Sequence, residues 1–123
     1  MSTKVGFIGA GDISLLHAEG VHECPSAELV GLWNRTAKRG EEKAALFGCR
    51  TYATAEELVS DPEIDVVYVL TNMETHHKYS LMAIEAGKHV LVEKPTATTV
   101  QEIQEMEDAA NRAGVLIAPV HNY

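Results

Sequence analysis

At 123 residues the chain has the size of one domain and is long enough to bury a real core. Hydrophobic residues make up 46% and charged residues 23%, a balance ordinary for globular proteins and far from disordered or fibrous compositions. The formal net charge of -8 argues against nucleic acid or an anionic membrane as the main partner, because both reward positive charge.

Short β-branched runs alternate with helical patterns from one end to the other. Lys4–Ile8 reads as the first strand, and the N-terminus enters it without the apolar core of a signal peptide. Ile13–Glu23 has helical spacing, through Ile13, Leu16 and Val21. Glu28–Trp33 is the second strand, and a polar-faced helix over Ala37–Phe47 is stopped by Gly48. Arg50–Ala53 is a weak third strand. Thr54 and Glu57 then have the spacing of a capping box, opening a short helix that ends before Asp61-Pro62. Asp65–Leu70 is a strongly apolar fourth strand. Thr75 starts a helix that Gly87 stops, and Lys88–Val92 is the fifth strand, with His89–Val92 apolar enough to be buried on both faces. Thr99 and Glu102 repeat the capping-box spacing, opening a helix to Ala113 before Gly114. Val115–Val120 is the sixth strand. No apolar run approaches membrane-spanning length.

Continuous apolar strands separated by helices mean a parallel sheet covered on both faces. Right-handed crossovers leave a few doubly wound orders. The expected fold is therefore a doubly wound parallel α/β sheet of about six strands, the Rossmann fold with order 3-2-1-4-5-6. Cys24 and Cys49 are isolated and read as reduced thiols of a cytoplasmic protein, with a bridge between them as the alternative. The six histidines show no metal-ligand spacing with Cys or carboxylates, so no metal is expected.

The most informative local pattern follows the first strand, where Gly9, Gly11 and Ser14 form G-x-G-x-x-[small] between a strand and a helix. The first glycine permits a tight turn, the second lets backbone amides approach a pyrophosphate, and the small third residue lets helix and strand pack closely. A diphosphate suits the helix N-terminus, where free N–H groups and the dipole favour anions. Gly9, Gly11, Asp12 and Ile13 are thus candidate dinucleotide contacts. Gly-rich strand–helix turns also arise from packing alone, and here the context within six alternating strands favours the dinucleotide. The second strand ends Trp33-Asn34-Arg35-Thr36, without the carboxylate that serves the ribose in NAD-preferring sites. Arg35 can fork onto a 2′-phosphate, with Lys38 or Arg39 close by, which favours NADP over NAD. The competing reading makes Arg35 a solvated loop charge and leaves Asn34 to the ribose of NAD.

The run Thr71–Pro95 ("TNMETHHKYSLMAIEAGKHVLVEKP") resembles the signature block of the Gfo/Idh/MocA oxidoreductases, whose members read T-P-x-x-x-H, a helix, and A-G-K-H-V-x-x-E-K-P. Thr71, His76, Ala86, Gly87, Lys88, His89, Val90, Glu93, Lys94 and Pro95 match it, while Asn72-Met73 stand where the family commonly has Pro-Asn. With the glycine turn, the resemblance covers essentially the whole chain. It implies an NAD(P)-dependent dehydrogenase or reductase that moves hydride between nicotinamide and a hydroxyl or carbonyl of a sugar, inositol or related polyol. It also implies that residues 1–120 form the cofactor domain and 121–123 begin the linker to a substrate domain. That second domain would bring further acid–base residues and a homo-oligomer interface. The chain alone is then expected to bind dinucleotide without turnover.

In the resemblance Lys94 is the catalytic residue. Alcohol oxidation needs a group to take the hydroxyl proton, and a lysine beside a cationic nicotinamide has its pKa lowered toward the working range. Glu93 either supports the cofactor or orients Lys94, with a surface acid the plainer reading. Pro95 often follows a cis bond in the family, whereas only about 5–6% of X–Pro bonds are cis in folded proteins. Thr71, Asn72 and His76 line the cleft beside the cofactor, His76 in a structural part. His77 is expected at the surface and His89 in packing. A non-catalytic dinucleotide sensor of the same family is the competing function, and retention of Lys94 favours the enzyme.

Overall fold

Strands and helices alternate throughout the computed structural model, which describes residues 3–11, 13–93 and 99–120, with backbone alone at 73, 119 and 120. In chain order they are β1 (Thr3–Ile8), α1 (Ile13–Glu23), β2 (Ala27–Trp33), α2 (Ala37–Phe47), β3 (Arg50–Thr51) and α3 (Ala55–Ser60). These are followed by β4 (Val66–Val69), α4 (Met73–Glu85), β5 (His89–Glu93), α5 (Val100–Ala113) and β6 (Ile117–Val120). The strands form one sheet in the order β3-β2-β1-β4-β5-β6, with every pairing parallel. This is the doubly wound Rossmann arrangement expected from the sequence.

Alternation along the strands divides the core in two. Val5, Phe7, Leu29, Leu32 and Phe47 pack together with α1 and α2 on one side. Val67, Val69, Val90, Val92, Leu58, Ile84 and Met106 pack with α3, α4 and α5 on the other. Leu29 and Leu32 share a side although they are an odd number of positions apart. A register shift at Val5/Gly6 lets β2 carry one extra residue, so Val30 crosses to the opposite core.

The threonine half of each expected capping box forms: Thr54 Oγ1 accepts from the Glu57 N–H at 3.0 Å, and Thr99 Oγ1 accepts from the Glu102 N–H at 3.1 Å. Gly48 and Gly114 close α2 and α5 in the left-handed conformation.

Several expectations need correction. The third strand is only Arg50–Thr51: the Tyr52 N–H to Leu32 O is its last bond to β2, and the Tyr52 hydroxyl is held by Asp61. Helix α4 starts at Met73 rather than Thr75, whose hydroxyl instead contacts Asn72 and Thr71. Lys88 precedes β5 rather than opening it. It is 9% exposed, and its ammonium donates to the carbonyls of Asp61 and Ile64 at 2.8 and 2.6 Å, holding the segment between α3 and β4.

The fourth correction concerns His89–Val92, which is not buried on both faces. Val90 and Val92 are buried, but Leu91 is half-buried and His89 exposed, because α1 and α2 cover only the β1–β3 half on their side. Leu116, 74% exposed, belongs to the same bare region. His89 therefore does not pack, and its Nδ1 accepts from the Leu116 N–H at 3.0 Å. His77 is not a free surface group either. Its ring lies between α4 and α5, 3.6 Å from a Glu102 carboxylate oxygen and 3.3 Å from one of Glu105.

Candidate dinucleotide site

The glycine turn is shaped by β4. Gly9 has φ +106°, and a Cβ there would lie 2.8 Å from the Leu70 carbonyl carbon and 2.9 Å from its oxygen. An L side chain is excluded both by conformation and by contact. The Gly9 N–H donates to Trp33 O at 2.7 Å, tying the turn to the end of β2. At Gly11 the situation is reversed: a Cβ would meet no atom within 4 Å. The backbone there borders open space at the start of α1, a cradle that a side chain would fill and a diphosphate suits. Ser14 is fully buried, and its N–H and hydroxyl both donate to Gly11 O, at 3.0 and 2.6 Å. Ile13 opens α1 and packs half-buried against the Val5–Phe7 core. Asp12 lies outside the described residues.

Asn34 serves as a brace between loops. Its Oδ1 accepts from the Ala10 N–H at 3.0 Å and its Nδ2 donates to Thr36 O at 3.0 Å. Its carbonyl oxygen therefore already has a protein partner. The sequence carries no sign of this, because the two partners stand 24 positions apart.

Between the ends of β1, β2 and β4 runs a groove of about 400 Å³, bordered by Gly9–Gly11, Trp33–Thr36, Arg39, Leu70–Asn72, Thr75, Lys78 and Tyr79. Three cationic side chains, Arg35, Arg39 and Lys78, line it, and no carboxylate does among the described residues. In a chain of net charge -8 that concentration of positive charge is a local feature, suited to an anion. Lys38 is exposed outside the groove, so of the two α2 cations expected near Arg35 only Arg39 lines it. Lys78 was not anticipated, since a lysine on a helix reads as a solvated charge until the groove is seen.

The β4–α4 connection is held as a unit. His76 is 2% exposed and its Nε2–H donates to Thr71 O at 2.8 Å. Thr75 Oγ1 lies 2.7 Å from Thr71 Oγ1 and 2.9 Å from Asn72 Oδ1. Asn72 has φ -70°, a value proline also adopts, so the replaced proline leaves the backbone path compatible with the family pattern.

At the end of β5, Glu93 is 6% exposed, which overturns the reading of a surface acid. The His17 Nε2 lies 3.3 Å from its carboxylate. The His17 ring meets Tyr68 edge-on at 5.7 Å, and burial pushes the Tyr68 phenol above its usual range, so it stays neutral. His17 is a second residue missed from sequence, because it stands 76 positions from its partner. Lys94 and Pro95 lie outside the described residues. The structure thus brings Gly9, Gly11, Asn34, Arg35, Thr71 and Asn72 to one groove, with His76 buried behind it and Glu93 at the next strand end. Among the described residues no His, Cys, Asp and Glu cluster could hold a metal ion.

Comparison with known proteins agrees with this geometry. Residues 3–121 match the family described as oxidoreductases with an NAD-binding Rossmann fold, Gfo/Idh/MocA. The chain is 41% identical over 118 residues to the 1,5-anhydro-D-fructose reductase of Ensifer adhaerens, covering 95% of this chain and 35% of that protein. It is 33% identical over 120 residues to the glucose-6-phosphate 3-dehydrogenase of Bacillus subtilis, covering 98% and 34%. Among solved structures, biliverdin reductase from Synechocystis, in complex with biliverdin and NADP+, superposes with a TM-score of 0.91 at 30% identity, covering 97% and 38%. The chain spans about a third of the length of these relatives. It belongs to the Gfo/Idh/MocA oxidoreductase family, of which it is the NAD(P)-binding Rossmann domain.

Proposed function

We propose that the chain is the cofactor-binding part of an NADP-preferring oxidoreductase that moves hydride between nicotinamide and a hydroxyl or carbonyl of a sugar, inositol or related polyol. The observation that carries the cofactor preference is the groove beside the glycine turn, lined by Arg35, Arg39 and Lys78 and by no described carboxylate. The ribose carboxylate of NAD-preferring sites is absent from Asn34-Arg35 at the end of β2. The residues fit the dinucleotide, because the open space at Gly11 accepts a diphosphate where any side chain would intrude.

In this reading the backbone of Gly9, Gly11, Asp12 and Ile13 holds the diphosphate at the start of α1. Asn34 fixes the turn against β2 through its bond from Ala10. Arg35 forks onto the 2′-phosphate. Thr71 and Asn72 border the cofactor, and His76 holds their loop in place through Thr71 O. When bound, the nicotinamide supplies the hydride acceptor or donor. Lys94 takes or returns the hydroxyl proton, and Glu93 with Pro95 sets its direction. The polyol substrate class follows from relatives that act on anhydrofructose and glucose 6-phosphate. The remaining assignments are a substrate domain beyond residue 120, a homo-oligomer of the whole protein and a cytoplasmic setting. The last is supported by Cys24 and Cys49, both free thiols, the second pushed up to about 11 by burial.

Titration of the chain with NADPH and with NADH tests the cofactor half of this reading. Trp33, the single tryptophan, borders the groove and supplies a fluorescence signal. Tighter NADPH binding is expected, and tighter NADH binding would remove the preference. In the whole enzyme, Lys94→Ala should lower kcat far more than it raises KM. Unchanged kcat would take the proton transfer away from Lys94.

A further inference from the structure

We infer that Lys78, on α4, is a specificity-determining residue that reads the 2′-phosphate from the α4 side of the groove that Arg35 also lines. The inference rests on the NADP reading above and extends it to an element that neither the glycine turn nor the end of β2 includes.

The geometry is that of a groove lined by cations from three separate elements. Arg35 stands in the loop after β2, Arg39 in the first turn of α2, and Lys78 in the second turn of α4. Thr75, Lys78 and Tyr79 are three and four positions apart, so they share one face of α4, and all three border the groove. The lysine side chain is also partly ordered before any ligand arrives. Its Nζ lies 5.3 Å from the centre of the Tyr79 ring, and that ring packs at 5.5 Å against Trp33 from the end of β2. A cation resting on an aromatic face at an exposed site gains modest energy and loses some of its rotamer freedom. Less remains to be lost when it turns to a ligand.

Chemistry then separates the roles of the cations. A guanidinium offers a planar fork, whereas an ammonium is a compact charge with three rotatable donors. Arg35 suits a fixed bidentate contact. Lys78 suits a single strong contact with whichever phosphate oxygen faces α4. A 2′-hydroxyl carries no charge and cannot recruit an ammonium in this way. Lys78 should therefore matter for NADPH and be close to neutral for NADH.

The experiment is a Trp33-monitored titration of the 123-residue chain with NADPH and NADH, for the wild type, Lys78→Met, Lys78→Arg and Arg35→Ala. Lys78→Met keeps the aliphatic stem over Tyr79 and removes the charge, so the fold is expected to survive. NADPH affinity should fall about fivefold in Lys78→Met, the size of a well-placed but solvated charge contact. NADH affinity should change by less than about twofold, and Lys78→Arg should retain most of the NADPH affinity. The decline of NADPH affinity with added salt should also be shallower in Lys78→Met than in the wild type. An unchanged NADPH-to-NADH ratio in Lys78→Met, with that ratio collapsing in Arg35→Ala, overturns the role of Lys78 and leaves the NADP reading standing. Equal losses for both cofactors also overturn it, by making Lys78 a general adenosine contact. A wild type that binds NADH more tightly overturns the underlying NADP reading, and the inference with it.

Discussion

Where β1, β2 and β4 end, Arg35, Arg39 and Lys78 stand around a groove open to solvent; where β5 ends, Glu93 is buried against His17. Both place ionisable side chains at carboxyl ends of strands in one parallel sheet, yet solvent gives them different work. A solvated cation costs the fold little, and its energy is realised when a ligand charge arrives. A buried carboxylate has lost its water and must be satisfied by the protein in the folded state itself. Substitutions in the groove should therefore move cofactor selectivity and leave stability nearly alone. Substitutions at the β5 end should move stability first.

Gly9 packs the turn at the groove against the end of β4, and its substitution should have the largest effect. At φ +106°, with a Cβ 2.8 Å from the Leu70 carbonyl carbon, Gly9→Ala should cost about 3 kcal/mol or more and displace the turn from β4. A urea midpoint far below wild type, with loss of binding to both cofactors, is the expected result. Near-wild-type stability would show that the turn relaxes without cost. Next in size is Glu93→Ala, which removes a buried carboxylate from its contact with His17 and should lower stability by about 2 kcal/mol. A fall in the NADPH-to-NADH ratio without loss of stability would place Glu93 with the groove and break the contrast. Arg35→Ala should do the reverse, leaving the urea midpoint in place and lowering the NADPH-to-NADH ratio about tenfold, the equivalent of one charged hydrogen-bonded contact.

The same contrast marks what could be read from the chain before its structure. Short-range patterns were legible: the threonine caps of α3 and α5, the stops at Gly48 and Gly114, and the glycine turn, each set by residues within a few positions. The parallel sheet order followed from apolar runs and the handedness of crossovers. Pairings across the fold were not legible. Asn34 reads as a ribose ligand until Ala10 is found bonded to it, and His17 goes unmarked until β5 brings Glu93 to 3.3 Å. Lys88 looked like the first residue of a strand because its burial depends on two carbonyls of the segment between α3 and β4. Nothing in local periodicity records such a contact. The family likeness supplied the Glu93-Lys94-Pro95 assignment, which physics alone would have left as charges at a strand end.

The smallest effect sharpens the comparison from outside the cleft. On the β3 edge, Asp61 accepts from the Tyr52 hydroxyl at 2.6 Å and from the Glu63 N–H at 2.8 Å, with Arg50 Nη2 at 3.0 Å. The Tyr52 hydroxyl, then the Glu63 amide, hold its carboxyl below the ordinary value of 3.8. A depressed folded-state value contributes stability above the unfolded value and loses it as pH falls through the folded one. Burial, then the bond to Asp61, pushes the Tyr52 phenol up to about 12 from 10.0, so its contribution is present below pH 10 and fades as pH rises toward 12. Asp61→Asn should therefore be less stable than wild type by under about 1 kcal/mol at neutral pH. That gap should narrow below about pH 4, where the wild-type carboxyl itself takes up a proton. Thermal unfolding of both proteins from pH 3 to 7 reads it, and a gap independent of pH would show that the carboxylate charge contributes nothing. The NADPH-to-NADH ratio should be the same in both, because these charges border the sheet edge rather than the groove. On this reading, charge at a sheet edge should steady the chain, and only charge facing the strand ends should select its cofactor.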